Sequence, residues 1–261
     1  KVALSPTSAE AACENIAAEV PHWNFNAVRK AAKAAWNKEL SCVEIETSDE
    51  TARTIFYTAM YHAMTEPMLF DDEADSTSTY TVLSLWDTYR AEMPMLTILK
   101  PGMQNDFANT FLKIYDKQGK LPVWHLAGNE TNTMPGNSGI PVLADIILKG
   151  FDGFDMEKAY EALKVSSMCP ERGQDLRMKY GYIPADIFRA SVAYDMEYSL
   201  DDWAMAQVSG KFGKDEDYEY FLERSRSYRR HFDKNTGFMR GVRLDGTFTE
   251  PFNPIYTDHH V

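Results

Sequence analysis

Ile55-Phe56-Tyr57-Thr58-Ala59-Met60-Tyr61-His62-Ala63-Met64 is apolar or aromatic on nearly every side of a helix. A helix without a wet face needs other elements around it, so the stretch predicts a helix buried on most sides. Thr47-Ser48-Asp49-Glu50 upstream has the spacing of a capping box, in which a hydroxyl and a glutamate three residues on satisfy free N–H groups, and Pro67 closes the run. On the N-terminal side, residues 26–40 place Val28, Ala31, Ala32, Ala35, Trp36 and Leu40 on one face and leave Arg29, Lys30, Lys33 and Lys38 largely outside it. A fully apolar helix beside a one-sided one is the alternation expected of helical hairpins.

The same alternation continues along the chain. Thr7-Ser8-Ala9-Glu10 is a second capping box opening an alanine-rich helix that ends before Pro21. Residues 66–80 contain Asp71-Asp72-Glu73-Ala74-Asp75, but the glycine and closing glutamate of an EF-hand loop are missing, so a solvated loop is expected. A helix from residue 87 toward 100 is interrupted or restarted at Pro94, and residues 105–117 form an amphipathic helix with Gly119 past its end. Helices are further predicted over 140–148, 156–167, 185–212 and 215–232. Residues 119–138 and 169–184 read as irregular, and Asp245-Gly246 as a hairpin turn near the C-terminus. The fold class is therefore all-α, with a ring, bundle or solenoid of helical hairpins all compatible, although no fixed repeat period is present.

Composition narrows the function. The 261 residues are 44% apolar and 25% charged, and 27 basic against 39 acidic side chains give a net charge of -12, which argues against a nucleic-acid partner. No apolar run reaches the length of a membrane span, and the first residues lack the apolar core of a signal peptide, so the protein is cytosolic or its targeting segment lies elsewhere. Cys13, Cys42 and Cys169 show no ligand or redox spacing. No GxSxG, P-loop, HExxH or dinucleotide glycine pattern occurs, and His259-His260 is too isolated for a metal site.

Directional groups concentrate in Ser84-Leu85-Trp86-Asp87-Thr88-Tyr89-Arg90. Asp87 and Arg90 are three apart, a spacing that a helix cap with a local ion pair would also produce. Trp86 beside them points to sugar binding, in which an exposed ring covers C–H faces while charged groups grip vicinal hydroxyls. Trp124, His125, Asn129 and Glu130 repeat this composition in the 119–138 loop, where Glu130 is also a candidate acid or base. Asp201 and Asp202, beside Trp203, are adjacent on a helix, so at most one faces a cleft, and capping of a helix that restarts there is the favoured explanation.

Taken together, Phe56-Tyr57-Thr58-Ala59-Met60-Tyr61-His62, Ser84 to Arg90, Gly128-Asn129-Glu130-Thr131, Ala144-Asp145 with Lys149-Gly150, Gly181-Tyr182-Ile183-Pro184 and Glu197-Tyr198 with Asp201-Asp202 resemble glycoside hydrolase family 92, over nearly the whole chain. The resemblance implies a calcium-dependent, inverting, exo-acting alpha-mannosidase, chiefly bacterial, periplasmic or secreted, acting on alpha-1,2-linked terminal mannose of glycans. It implies that residues 1–8 are the linker from a missing N-terminal β-sandwich and that residues 9–261 are the N-terminal part of an (α/α)6 catalytic toroid. Trp86, Asp87, Arg90, Trp124, His125, Asn129 and Glu130 are then substrate-binding residues. The general acid, the base and most calcium ligands are expected beyond Val261, since the segment that follows Pro251-Phe252-Asn253-Pro254 in the family is not reached. Another (α/α)6 carbohydrate hydrolase or phosphorylase, or a non-catalytic glycan-binding helical module, remains an alternative.

Overall fold

The most apolar segment of the chain lies at the centre of the core. In a computed structural model, which describes residues 1–255, helix Gly139–Leu148 buries Ile140, Val142, Leu143, Ala144, Ile146 and Ile147. The helices are α1 (Ala9–Glu19), α2 (Phe25–Leu40), α3 (Glu50–Ala63), α4 (Leu85–Thr88), α5 (Glu92–Leu99), α6 (Gln104–Gln118), α7 (Gly139–Leu148), α8 (Met156–Ser167), α9 (Gln174–Tyr180), α10 (Ser191–Lys211) and α11 (Asp215–Arg224). Helix α10 packs against α7, α8 and α11, and α6 joins α7 and α8 from the other side. Phe107 and Phe111 of α6, Leu163 of α8, Met205 of α10 and Phe221 of α11 fill the space around α7. The result is predominantly helical, with two small antiparallel hairpins, in keeping with part of a helical toroid. No helix is long and apolar enough to cross a membrane among the described residues.

Several helix starts follow their capping side chains. Asn24 accepts the Ala27 N–H at α2, Asp49 those of Thr51 and Ala52 at α3, and Asp155 that of Lys158 at α8. Two caps fall elsewhere than expected. Ser8, not Thr7, caps α1, and Asp49, not Thr47, caps α3, because in each case the later side chain reaches the free N–H groups.

The expected enclosure of α3 does not occur. Only Met60 is buried, while Ile55 is 64% and Tyr61 42% exposed. Its main neighbour is α2, where Trp36 meets Tyr61 edge-on at 4.5 Å, and one neighbour covers one stripe of a helix. The acidic loop is likewise not simply solvated: Asp72 is buried and accepts Ser5 Oγ at 2.8 Å and Asn15 Nδ2 at 2.9 Å, tying the N-terminal segment down.

Residues 119–138, expected to be irregular, contain a hairpin of β1 (His125–Leu126) and β2 (Asn129–Glu130), turned by Ala127 and Gly128 at φ 48° and 79°. Residues 169–184 contain α9, bracketed by Gly173 and Gly181, both left-handed. Helix α10 starts at Ser191 and runs unbroken through Asp201-Asp202, so no restart needs capping there. The predicted 215–232 helix ends at Arg224 and gives way to a 3₁₀ turn, Ser227–His231. After it come β3 (Phe232–Asp233), β4 (Phe238–Met239) and a bridge between Val242 and Phe248 around the predicted Asp245-Gly246 turn.

Candidate functional site

Ser84 adopts φ 39° and starts the single turn α4, with its hydroxyl bonded to the Asp87 carboxylate. This geometry leaves Asp87 exposed and throws Tyr89 inward. The Arg90 guanidinium lies 4.9 Å from the Trp86 ring centre and 4.7 Å from that of Tyr89. The indole, expected to be exposed, is only half so; its Nε1 is buried without a protein acceptor.

Across from this turn stands Glu197 of α10. Its carboxylate accepts Tyr89 OH at 2.7 Å and Arg90 Nη2 at 2.5 Å, one bond on each oxygen. Burial, and then the Glu197 carboxylate, push the Tyr89 phenol well above its ordinary range. Asp201, one turn further along α10, accepts the Asn137 N–H at 2.8 Å. Complete burial holds its carboxyl well above the usual carboxylate range against that bond, and the nearby Glu197 adds to the effect. The 134–137 loop closes over both: Arg172 donates to the carbonyls of Gly136 and Met134, and a Cβ on Gly136 would lie 2.6 Å from that of Glu197.

The second predicted cluster forms the β1–β2 hairpin. The Glu130 carboxylate accepts the N–H groups of Val123, Trp124 and Asn132 at 2.8–2.9 Å, which bind the loop to its own base. Burial opposes its ionisation, but these three donors hold the pKa below the usual value. His125 Nε2 lies 3.1 Å from Gln118 Oε1 and 3.5 Å from Glu130 Oε2, and burial lowers its pKa, so it is neutral at pH 7. Asn129 is exposed and Trp124 half-buried. A cavity of about 440 Å³ opens beside the hairpin, walled by Phe70, Lys113, Lys117, His125, Gly128 and Asn129. The structure thus gathers Trp86, Asp87 and Arg90 in one place and His125, Asn129 and Glu130 in another. No hydrogen bond, ion pair or ring contact joins the two groups among the described residues.

Sequence reasoning passed over Glu197 as a partner for Arg90, and nothing local signals it, because the two are 107 positions apart. Asp202 faces away from this site. It meets Arg177, which also holds Asp195 at 2.5 Å, and His231 lies 2.7 Å from the other Asp195 oxygen. His259 and His260 lie outside the described residues.

Calcium finds no cluster of acidic side chains to hold it among the described residues. No three acidic, histidine or cysteine side chains converge on one point. The carboxylates nearest the site are already engaged, Glu197 by Tyr89 and Arg90, Asp87 by Ser84 and Asp201 by the Asn137 N–H.

Comparison with known proteins bears on this arrangement. The model of the glycosyl hydrolase family 92 catalytic domain matches residues 11–261. A family GH92 alpha-mannosidase from Bacteroides thetaiotaomicron superposes with a TM-score of 0.90 at 37% identity, over 98% of this chain and 37% of its own. A family GH92 inverting mannosidase from the same species gives 0.87 at 27% identity, over 95% and 37%. An uncharacterized secreted glycosidase from the fungus Arthroderma benhamiae is 28% identical over 98% of this chain and 33% of its own length. The chain therefore spans about a third of the length of these relatives. With the family model covering nearly every residue and the helices superposing on those of its members, the chain belongs to glycosyl hydrolase family 92.

Proposed function

We propose that the chain is part of an exo-acting, inverting alpha-mannosidase that releases terminal alpha-1,2-linked mannose from glycans, with Trp86, Asp87 and Arg90 as its clamp on the departing sugar. The observation that carries this reading is the Arg90 guanidinium, held against Trp86 and Tyr89 with 46% of its side chain exposed, beside the exposed Asp87 carboxylate, which accepts Ser84 on one oxygen. A fork of N–H donors next to a carboxylate acceptor is suited to neighbouring sugar hydroxyls, one of which accepts while the other donates. Trp124, His125, Asn129 and Glu130 would shape the adjoining wall, Glu130 by bracing the hairpin and His125 and Asn129 from the cavity beside it.

Mannose is favoured because two of the similar structures are described as GH92 mannosidases, and that of the first has also been described in complex with mannoimidazole. Residues 9–261 would supply the N-terminal part of the catalytic domain. An inverting pair must stand about 6.5–9.5 Å apart to admit a water. We assign that acid and base, and most of the calcium ligands, to other parts of the parent protein. Periplasmic or extracellular location accords with the relative described as secreted.

The full-length protein should release mannose of inverted configuration from alpha-1,2-mannobiose, seen by proton NMR, and lose this activity with a calcium chelator. Activity on alpha-glucosides alone would replace this reading with that of another helical-toroid hydrolase.

A further inference from the structure

We infer that Glu197 is a positioning residue for the sugar clamp, fixing the Arg90 guanidinium so that its remaining N–H groups face the sugar hydroxyls. This rests on the reading of Arg90 as a substrate-gripping group. Four observations support it. First, both oxygens of Glu197 are engaged, by Tyr89 OH and Arg90 Nη2, so the carboxylate cannot rotate without losing a bond. Second, its side chain is only 15% exposed against 46% for Arg90, which places it behind the guanidinium rather than beside it at the surface. Third, Gly136 presses on its β-carbon with no room for a side chain, and Arg172 pins that loop through two carbonyls. Fourth, Trp86 and Tyr89 confine the guanidinium by their rings, so an anchor on one nitrogen sets the direction of the whole fork.

Among the described residues, Arg90 Nη2 is the nitrogen that bonds protein, which leaves Nε and Nη1 as donors for a ligand. Asp201 is taken up by the Asn137 N–H, and its hydrogen bond does not involve the guanidinium. Each Glu197 oxygen accepts one bond from the protein, and the side chain is only 15% exposed. Its part is therefore to act through Arg90.

A double-mutant cycle in the full-length protein tests this, with mannoimidazole binding measured by calorimetry and folding monitored by thermal melting. Arg90→Ala and Glu197→Ala should each weaken binding by about 10- to 100-fold, the size of a charged hydrogen bond. Glu197→Ala added to Arg90→Ala should then cost less than about twofold more, because a residue acting only through Arg90 has nothing left to position. Glu197→Gln, which retains the shape and one acceptor, should fall between, and it serves as the partner in the cycle if the alanine variant does not fold. Full additivity, or normal binding by both Glu197 variants while Arg90→Ala is weak, would assign Glu197 a structural role and overturn the inference. Normal binding by Arg90→Ala would overturn both the clamp and the inference.

Discussion

Helix α10 carries two pairs of carboxyl groups on two faces, Asp195 with Asp202 seven residues apart and Glu197 with Asp201 four apart. Both faces meet an arginine. On the first, Arg177 is 1% exposed and every nitrogen is committed: Nε to Asp195, Nη1 to Asp202, and Nη2 to the Arg224 carbonyl and Ser227. Burial alone would raise the pKa of Asp195, but the His231 bond and Arg177 hold it below its ordinary value. On the second face Arg90 is half exposed with one anchored nitrogen. The same ion-pair chemistry holds α9, α10, α11 and the following turn together where it is sealed and saturated, and presents spare donors where it is open. Burial and unused bonding capacity, not residue type, separate the two.

The largest effect is expected from breaking the sealed side. Arg177→Met would leave two buried carboxylates without their shared partner and should lower stability by about 3–5 kcal/mol, measured by urea denaturation. A loss below about 1 kcal/mol would erase the distinction between the faces. On the open side, Asp87→Ala should leave the denaturation midpoint nearly unchanged and lower kcat/KM on an alpha-mannoside by about 10²-fold in the full-length protein. A near-normal rate would remove Asp87 from the site.

Gly136→Ala probes the loop that closes over Glu197. The residue has φ 80° and the new Cβ would sit 2.6 Å from that of Glu197, so overpacking and strain should cost about 1–3 kcal/mol of stability. The smallest effect concerns a carboxyl with no arginine. Glu92 has a buried, unpartnered Oε1, and burial together with Glu66 raises its pKa from 4.5 to about 7. The folded state thus holds a proton that the unfolded state releases, and stability falls as pH rises from about 4.5 to 7. Glu92→Gln should therefore raise the melting temperature at pH 8 and leave it unchanged at pH 4, a gain below about 1 kcal/mol after solvent screening.

Legibility in the sequence followed the range of the interactions. The starts of α2 and α8 were close to plain because Asn24 and Asp155 satisfy N–H groups three residues away. The helix α7 was plain within a residue of its start, in a run where nearly every position is apolar. The β1–β2 hairpin was missed because its turn is Ala127-Gly128 rather than an Asn-Gly or Asp-Gly pair, and Glu130 braces it from within. The enclosure of α3 was misjudged because an apolar surface states what it would favour, not whether a neighbour covers it. Asp201 and Asp202 looked like caps because a helix pattern does not show what lies opposite each face.

The sequence by itself determined the helical character, the family and the grouping of Trp86, Asp87 and Arg90, since these depend on composition, on motifs or on residues within a turn of one another. Only the tertiary structure decided that Arg90 meets Glu197, that Asn137 meets Asp201 from 64 positions away and that Arg177 is sealed between two aspartates. Those pairings are set by which helix faces come together and by how much water remains between them, and neither is a local property of the chain.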